Sequence, residues 1–246
     1  MSSRQPSSRN PGHVIKYDNF QIYTGPCKVC QPGVEPWIRQ FCKLNPWYVQ
    51  IDNDWAGDWF NQYGIASNFD EFDAAVELMT DSHSADWARY SEEKICVIHQ
   101  QAMKIYGMLH ARWICQPKGM AAMKDKYEKG IYGKCIRYGC SGTHLLPMGT
   151  TFTLRRHSAK LFCPKCNDIY RAPDSIVLDG AHFGPAFPHM FLYEYKQFDK
   201  TAEFEPFEIK AFGFKIHRNP HSRFPVHMKN RYDQENPEMS TYKDKE

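Results

Sequence analysis

The 246-residue chain predicts an α+β fold, helical first and β-rich later. Three features carry that reading: an amphipathic helix in the middle, two close cysteine pairs after it, and an alternating aromatic stretch near the C-terminus. In the helix, Ile95, Ile98, Ala102, Ile105, Leu109 and Trp113 recur at steps of three or four. They form one apolar stripe along roughly 24 residues from Glu92 to Cys115, or about 36 Å. Ser91 supplies an N-cap, Glu92 and Glu93 suit the positive end of the helix dipole and Arg112 the negative end, and Pro117 with Gly119 stops the helix.

The cysteines set the chemistry. Four residues separate Cys135 from Cys140, two separate Cys163 from Cys166, and 22 lie between the pairs. Each pair fits a tight turn and offers two thiolates to one ion. Four sulfurs at about 2.3 Å satisfy tetrahedral Zn2+ with no open position, so such a site is structural. In Cys163-Pro164-Lys165-Cys166 the proline presets one turn angle, and N–H groups beyond the first cysteine can donate to sulfur. Four thiolates on a dication leave two negative charges, which Lys134, Arg137, Lys160 and Lys165 are placed to offset. The rival reading is two disulfides or four scattered core thiols. Zinc is favoured because close cysteine pairs in a long chain without a secretory signal read as metal before disulfide. The five other cysteines (Cys27, Cys30, Cys42, Cys96 and Cys115) are an odd remainder that fits no disulfide framework.

With 42% hydrophobic and 15% aromatic residues, the chain is globular and long enough for two domains. The polar start, Met1 to His13, does not read as a leader, and no run reaches the length of a membrane span. A soluble intracellular protein is expected. The net charge of +3 hides an asymmetry. Residues 34–95 carry 4 basic and 12 acidic side chains, whereas residues 96–172 carry 13 basic and 3 acidic. The second stretch could attract nucleic acid or acidic proteins, or be a solvated face balanced by its acidic neighbour.

The remaining segments are read as follows. Residues 1–33 lack the apolar content to fold alone and read as a flexible extension, with Cys27 and Cys30 as stray thiols. Trp37, Ile38, Phe41 and Leu44 predict a short helix broken at Asn45-Pro46, and Phe72, Ala75, Val76 and Met79 mark another over Phe69 to Met79. Asp52, Asp54 and Asp58 read as helix-start and surface carboxylates, since no calcium-loop spacing surrounds them. His99 and His110 read as helix surface or satisfied core, and Met120 to Lys129 as a helix ending at Gly130. Between Asp179 and Tyr193, glycine and proline exclude a helix before Met190, and Met190 to Tyr195 suits a strand. His182 and His189 read as packing residues. Phe204, Phe207, Ile209, Phe212, Phe214 and Ile216 alternate around Gly213 as a hairpin, and from Arg218 hydrophobes thin into a mobile tail.

From Trp37 to His217 the chain resembles the regulatory β subunit of casein kinase II. The resemblance rests on W-I-x-x-F-C at Trp37 to Cys42, Y-G-M-L-H-A-R at Tyr106 to Arg112, the four-cysteine spacing, C-P-K-C-N-D-I-Y at Cys163 to Tyr170, D-G-A-H-F-G-P-A-F-P-H-M at Asp179 to Met190, and G-F-K-I-H at Gly213 to His217. It implies an all-helical N-terminal domain (34–130), a zinc-ribbon β domain (131–200) through which two copies dimerise, and a C-terminal docking hairpin and tail (201–246). It further implies two catalytic α subunits in an α2β2 kinase, acidic protein substrates, and a cytoplasmic and nuclear location. By residue match Cys135, Cys140, Cys163 and Cys166 would hold zinc, Phe212 and Phe214 would enter the catalytic subunit, and Ile136, Tyr138 and Ile169 would lie at the dimer interface.

The chain also departs from the family pattern. Cys30-Gln31-Pro32-Gly33-Val34-Glu35-Pro36 stands where a phosphorylated serine-glutamate cluster is usual. Asp81-Ser82-His83-Ser84-Ala85-Asp86 replaces a denser acidic loop. Ala211 stands where a larger apolar residue is common, and Asp73 and Val76 where an arginine-containing degradation motif is usual.

A regulatory scaffold is the expected function, since the sequence has no glycine-rich phosphate loop, lysine-strand motif or H-R-D catalytic loop. A zinc-ribbon nucleic-acid binder is the alternative, and a catalytic zinc enzyme is the weakest reading because four ligands fill the metal.

Overall fold

The structure is a computed structural model that describes residues 13–17, 20–24, 36–80, 90–207 and 210–215. Expectations for Cys27, for the segment from Cys30 to Glu35, for the segment from Asp81 to Asp86, for Ile209 and Ile216 of the hairpin and for the tail from Arg218 lie outside the described residues. Within the stretch read as an extension, β1 (His13–Tyr17) and β2 (Phe20–Thr24) pair antiparallel, His13 opposite Thr24.

The helices follow in the predicted order. α1 (Trp37–Leu44) buries Trp37, Ile38 and Phe41. Two short helices, α2 (Asn53–Gly57) and α3 (Trp59–Gln62), start at Asp52 and Asp58, and the Asp58 carboxylate accepts the Phe60 N–H at 3.0 Å. α4 (Phe72–Met79) packs along α5 (Glu92–Trp113). Ser91 caps α5 by accepting the Lys94 N–H at 3.3 Å, and the stripe from Ile98 to Trp113 is buried, while Ile95 is half-buried. Pro117 does more than stop α5. It opens α6 (Pro117–Glu128) at a first-turn position where its missing N–H costs nothing.

Three strands of three residues each follow: β3 (Leu146–Met148), β4 (Lys160–Phe162) and β5 (Ile169–Arg171), antiparallel in chain order. Leu146 faces Phe162, which faces Ile169.

One expectation is corrected here. Phe187–Glu194 is a helix, α7, where helix was excluded before Met190 and a strand was read from it. Pro188 sits in its first turn, where helices tolerate proline, and Phe187 and Phe191, four apart, bury one face. A short apolar run does not tell helix from strand by periodicity alone.

Through Phe204 the chain forms one unit, and residues 205–246 form a second. The boundary read at residue 130 separates two kinds of local structure but not two cores. A continuous apolar cluster runs from Trp37 through Leu109 and Tyr127 to Leu161, Phe187 and Phe191. Each large side chain fully buried there contributes about 1.5–3 kcal/mol. The 3₁₀ turn Gly180–His182 lies against α5, with the His182 ring over Gly107. In the second unit β6 (Lys210–Ala211) pairs with β7 (Phe214–Lys215), Ala211 opposite Phe214.

Candidate metal centre

Two turns of matching design hold the four sulfurs. In each pair the N–H of the first cysteine donates to a carbonyl just beyond the second: Cys135 to Thr143 at 2.8 Å, Cys163 to Asp168 at 3.0 Å. The residue directly after each second cysteine, Ser141 or Asn167, adopts positive φ (50° and 55°) and turns the chain back. Short polar residues tolerate that region best, Asn above all.

The geometry fits a metal. The Sγ atoms of Cys135, Cys140, Cys163 and Cys166 all lie within 4.8 Å of one another. Cys135 stands 4.0 Å from Cys166 and Cys140 3.8 Å from Cys163. A tetrahedron of four Zn–S bonds of about 2.3 Å has edges of about 3.8 Å, whereas a disulfide needs about 2.05 Å. The disulfide reading therefore fails, and the thiols are gathered rather than scattered. These sulfurs can hold one ion.

The surroundings prepare the site for a cation. Burial pushes the Cys163 thiol up to about 11, although N–H groups of Cys166 and Lys165 work against it. Burial also raises Cys140, and its sulfur neighbours add to the rise. At Cys166 burial is outweighed: the Tyr170 hydroxyl, 3.1 Å from Sγ, and the Asp168 N–H favour the thiolate and lower its pKa. Without an ion Cys140 and Cys163 favour the neutral thiol, so a bound dication supplies the drive to ionise them. Of the four cations expected to balance the site, Arg137 is the one held across it. Its guanidinium meets the Asp168 carboxylate at 2.5 Å, tying the first turn to the second, and lies 5.6 Å from the Phe204 ring. Lys160 instead donates to Ser158.

Comparison with known proteins agrees with this geometry. A family model described as casein kinase II regulatory subunit matches residues 36–215. The chain belongs to that family. It is 37% identical over 185 residues to the putative casein kinase II subunit beta-4 of Arabidopsis thaliana, covering 74% of this chain and 65% of that one. It is 36% identical over 193 residues to the casein kinase II subunit beta of Dictyostelium discoideum, covering 76% and 70%. With the subunit beta′ of Drosophila melanogaster it shares 35% identity over 185 residues, covering 74% and 84%. The chain thus spans just under two thirds of the Arabidopsis relative and more of the other two. The family is one of regulatory, non-catalytic subunits, and the nucleic-acid reading is not favoured.

The other site residues expected from the family motifs fall on the surface. Ile136 and Tyr138, inside the first cysteine turn, are 89% and 94% exposed, and Ile169 on β5 is 48% exposed. Phe212 and Phe214 are exposed on the β6–β7 hairpin. Phe212 (φ 51°) and Gly213 (φ 85°) form its two-residue turn, the positive-φ pair that such hairpins use. Phenylalanine is a costly choice there.

The basic stretch proves less uniform than its count implied. Lys118 pairs with Asp52 at 2.7 Å, and Arg112 donates to the carbonyls of Asn61 and Tyr63. Part of the asymmetry is therefore internal balance. Sequence reasoning gave Tyr170 and Asp168 no role beyond their place in C-P-K-C-N-D-I-Y. That string was the only signal that could have marked them.

Proposed function

We propose that the chain is a scaffold that dimerises through its four-cysteine module around a structural Zn2+ and holds two kinase catalytic subunits in an α2β2 complex. The observation that carries this is the hairpin from Lys210 to Lys215. It turns through a phenylalanine in left-handed conformation and presents Phe212 and Phe214 to solvent. Stability alone would favour Asn or Gly at that corner, so an aromatic residue there suits an anchor for a partner, as aromatic residues dominate interface hot spots.

The dimer surface in this reading is the apolar knob of Ile136 and Tyr138 with Ile169. The scaffold acts by mass action and placement: binding stabilises the catalytic chain, and acidic protein substrates are drawn to it. Cys42, Cys96 and Cys115 are free thiols, which suits a reducing cytoplasmic and nuclear location. No helix among the described residues is long and apolar enough to cross a membrane.

The test is co-purification of the tagged full chain from its source. A kinase catalytic chain should accompany it at equal stoichiometry. Phe212→Ala with Phe214→Ala should remove several kcal/mol of that affinity, and undiminished capture would reject the hairpin as the docking element.

A further inference from the structure

A groove of about 610 Å³ opens between α5 and the segment leading into β4. Met103, Leu154, Val177 and Leu178 give it an apolar lining, and Val177 is left 47% exposed. Lys104, Arg155 and Arg156 supply its cationic groups, His157 adds an imidazole, and Asp179 is the single carboxylate among the described residues. With His157 counted as neutral, the lining carries two net positive charges.

That carboxylate is already engaged. Its oxygens accept the backbone N–H groups of Arg155 at 2.6 Å and Ala181 at 3.0 Å. The first of these bonds holds Arg155 at a φ of 60°, a conformation that a non-glycine residue adopts at a cost. The fold thus places two consecutive arginines beside an apolar lining that is exposed at Val177, and the arginine side chains make no ion pair among the described residues.

From this geometry we infer that the groove docks an extended acidic peptide segment that carries an apolar side chain. The cations select carboxylates, bidentately where arginine is the donor, and the floor selects the apolar residue. The volume is far larger than a free phosphate needs. Among the described residues no Phe, Tyr or Trp lines the groove to stack a base, and single-stranded nucleic acid sites depend on such rings. An acidic peptide is therefore favoured over nucleic acid. The inference rests on the scaffold reading and deepens it by giving acidic substrates a place to dock.

The probe is a fluorescein-labelled peptide of twelve residues, glutamates around a central Leu-Leu, titrated by anisotropy against the full-length, zinc-loaded chain. Wild type should bind it, more weakly as salt rises. Arg155→Glu with Arg156→Glu should weaken binding at least tenfold. Arg155→Gly with Arg156→Ser should do the same without straining the backbone, which keeps the test valid if the double glutamate fails to fold. Val177→Asp should weaken the Leu-containing peptide to the level of an all-glutamate one. Arg171→Ala, which removes the partner of Asp174, should change nothing. Equal peptide affinity in wild type and the Arg155/Arg156 variants would overturn the inference. So would a twelve-nucleotide single strand that binds as tightly and depends on the same arginines. Capture of the catalytic chain, measured on the same variants, separates the two claims. Its persistence with lost peptide binding supports the groove, while its failure in wild type rejects the scaffold and leaves the peptide result standing.

Discussion

Tyr48 and His182, 134 residues apart in sequence, share a buried hydrogen bond of 2.6 Å through Tyr48 Oη and His182 Nδ1. The His182 carbonyl lies 2.8 Å from His110 Nδ1, and His110 Nε2 accepts the Val49 N–H at 3.2 Å. Helical and cysteine-bearing parts are thus joined by an uncharged histidine network.

That network, together with the buried His99 beneath Trp37 Nε1, predicts acid sensitivity. Burial lowers His110 to about 3 and His182 and His99 to about 4. Unfolded histidines take up protons near 6.5, and the folded ones resist until pH 4 or below. The folded state is therefore fully favoured above pH 6.5 and loses stability as pH falls through 6.5 toward 4. Each histidine costs about 1.4 kcal/mol per pH unit, roughly 3–4 kcal/mol for all three at pH 5.5. Urea midpoints at pH 7.5 and 5.5 measure the loss. His99→Leu should remove about a third of the slope without touching the thiols, and an unchanged slope would assign the acid effect to the cysteine cluster.

Gly107 offers a test of how α5 meets the Gly180–His182 turn. A Cβ at this position would lie 2.1 Å from His182 Cδ2. Gly to Ala inside an exposed helix gains about 1 kcal/mol. Here the ring cannot move without breaking its bond to Tyr48, so overpacking should win by at least about 2 kcal/mol. A lower urea midpoint for Gly107→Ala is expected. A raised one would show that the ring does not sit on the helix.

Metal removal should reach the helices. Structural zinc supplies on the order of 10–16 kcal/mol to modules of this kind, comparable with the whole stability of a domain. Cys135, Cys140 and Cys163 belong to the same core as Ile105 and Leu109. Elemental analysis should find one zinc per chain, and chelation should cost a large share of the helical circular dichroism signal. A metal-free chain with intact helices and an unshifted melting temperature would separate the two parts energetically.

Much of this was legible in the sequence wherever the signal was local. α5 is long enough for its stripe to repeat six times, and the cysteine spacing encodes two turns directly. β3, β4 and β5 have three residues each, too few for alternation to register, and α7 was misread because an apolar run of about two turns fits either period. Pairings such as Arg137 with Asp168 and Gly107 with His182 depend on chain crossings that no periodicity records.

The apolar knob on the first cysteine turn leads to the last prediction. Ile136 and Tyr138 lie between two of the gathered cysteines yet are exposed to water, an expensive exposure for a monomer. The turn that carries them is fixed by Cys135 and Cys140 and by the Cys140 N–H donating to Arg137 at 2.9 Å. Charges added there should leave the metal alone. Ile136→Asp with Tyr138→Asp should retain one zinc per chain and the wild-type circular dichroism spectrum while shifting the light-scattering mass from dimer to monomer at micromolar concentration. Burying two unpaired carboxylates per copy costs several kcal/mol, more than a standard interface can spare. A dimer that survives both substitutions would move the self-association surface off the cysteine module and leave that module with a folding role alone.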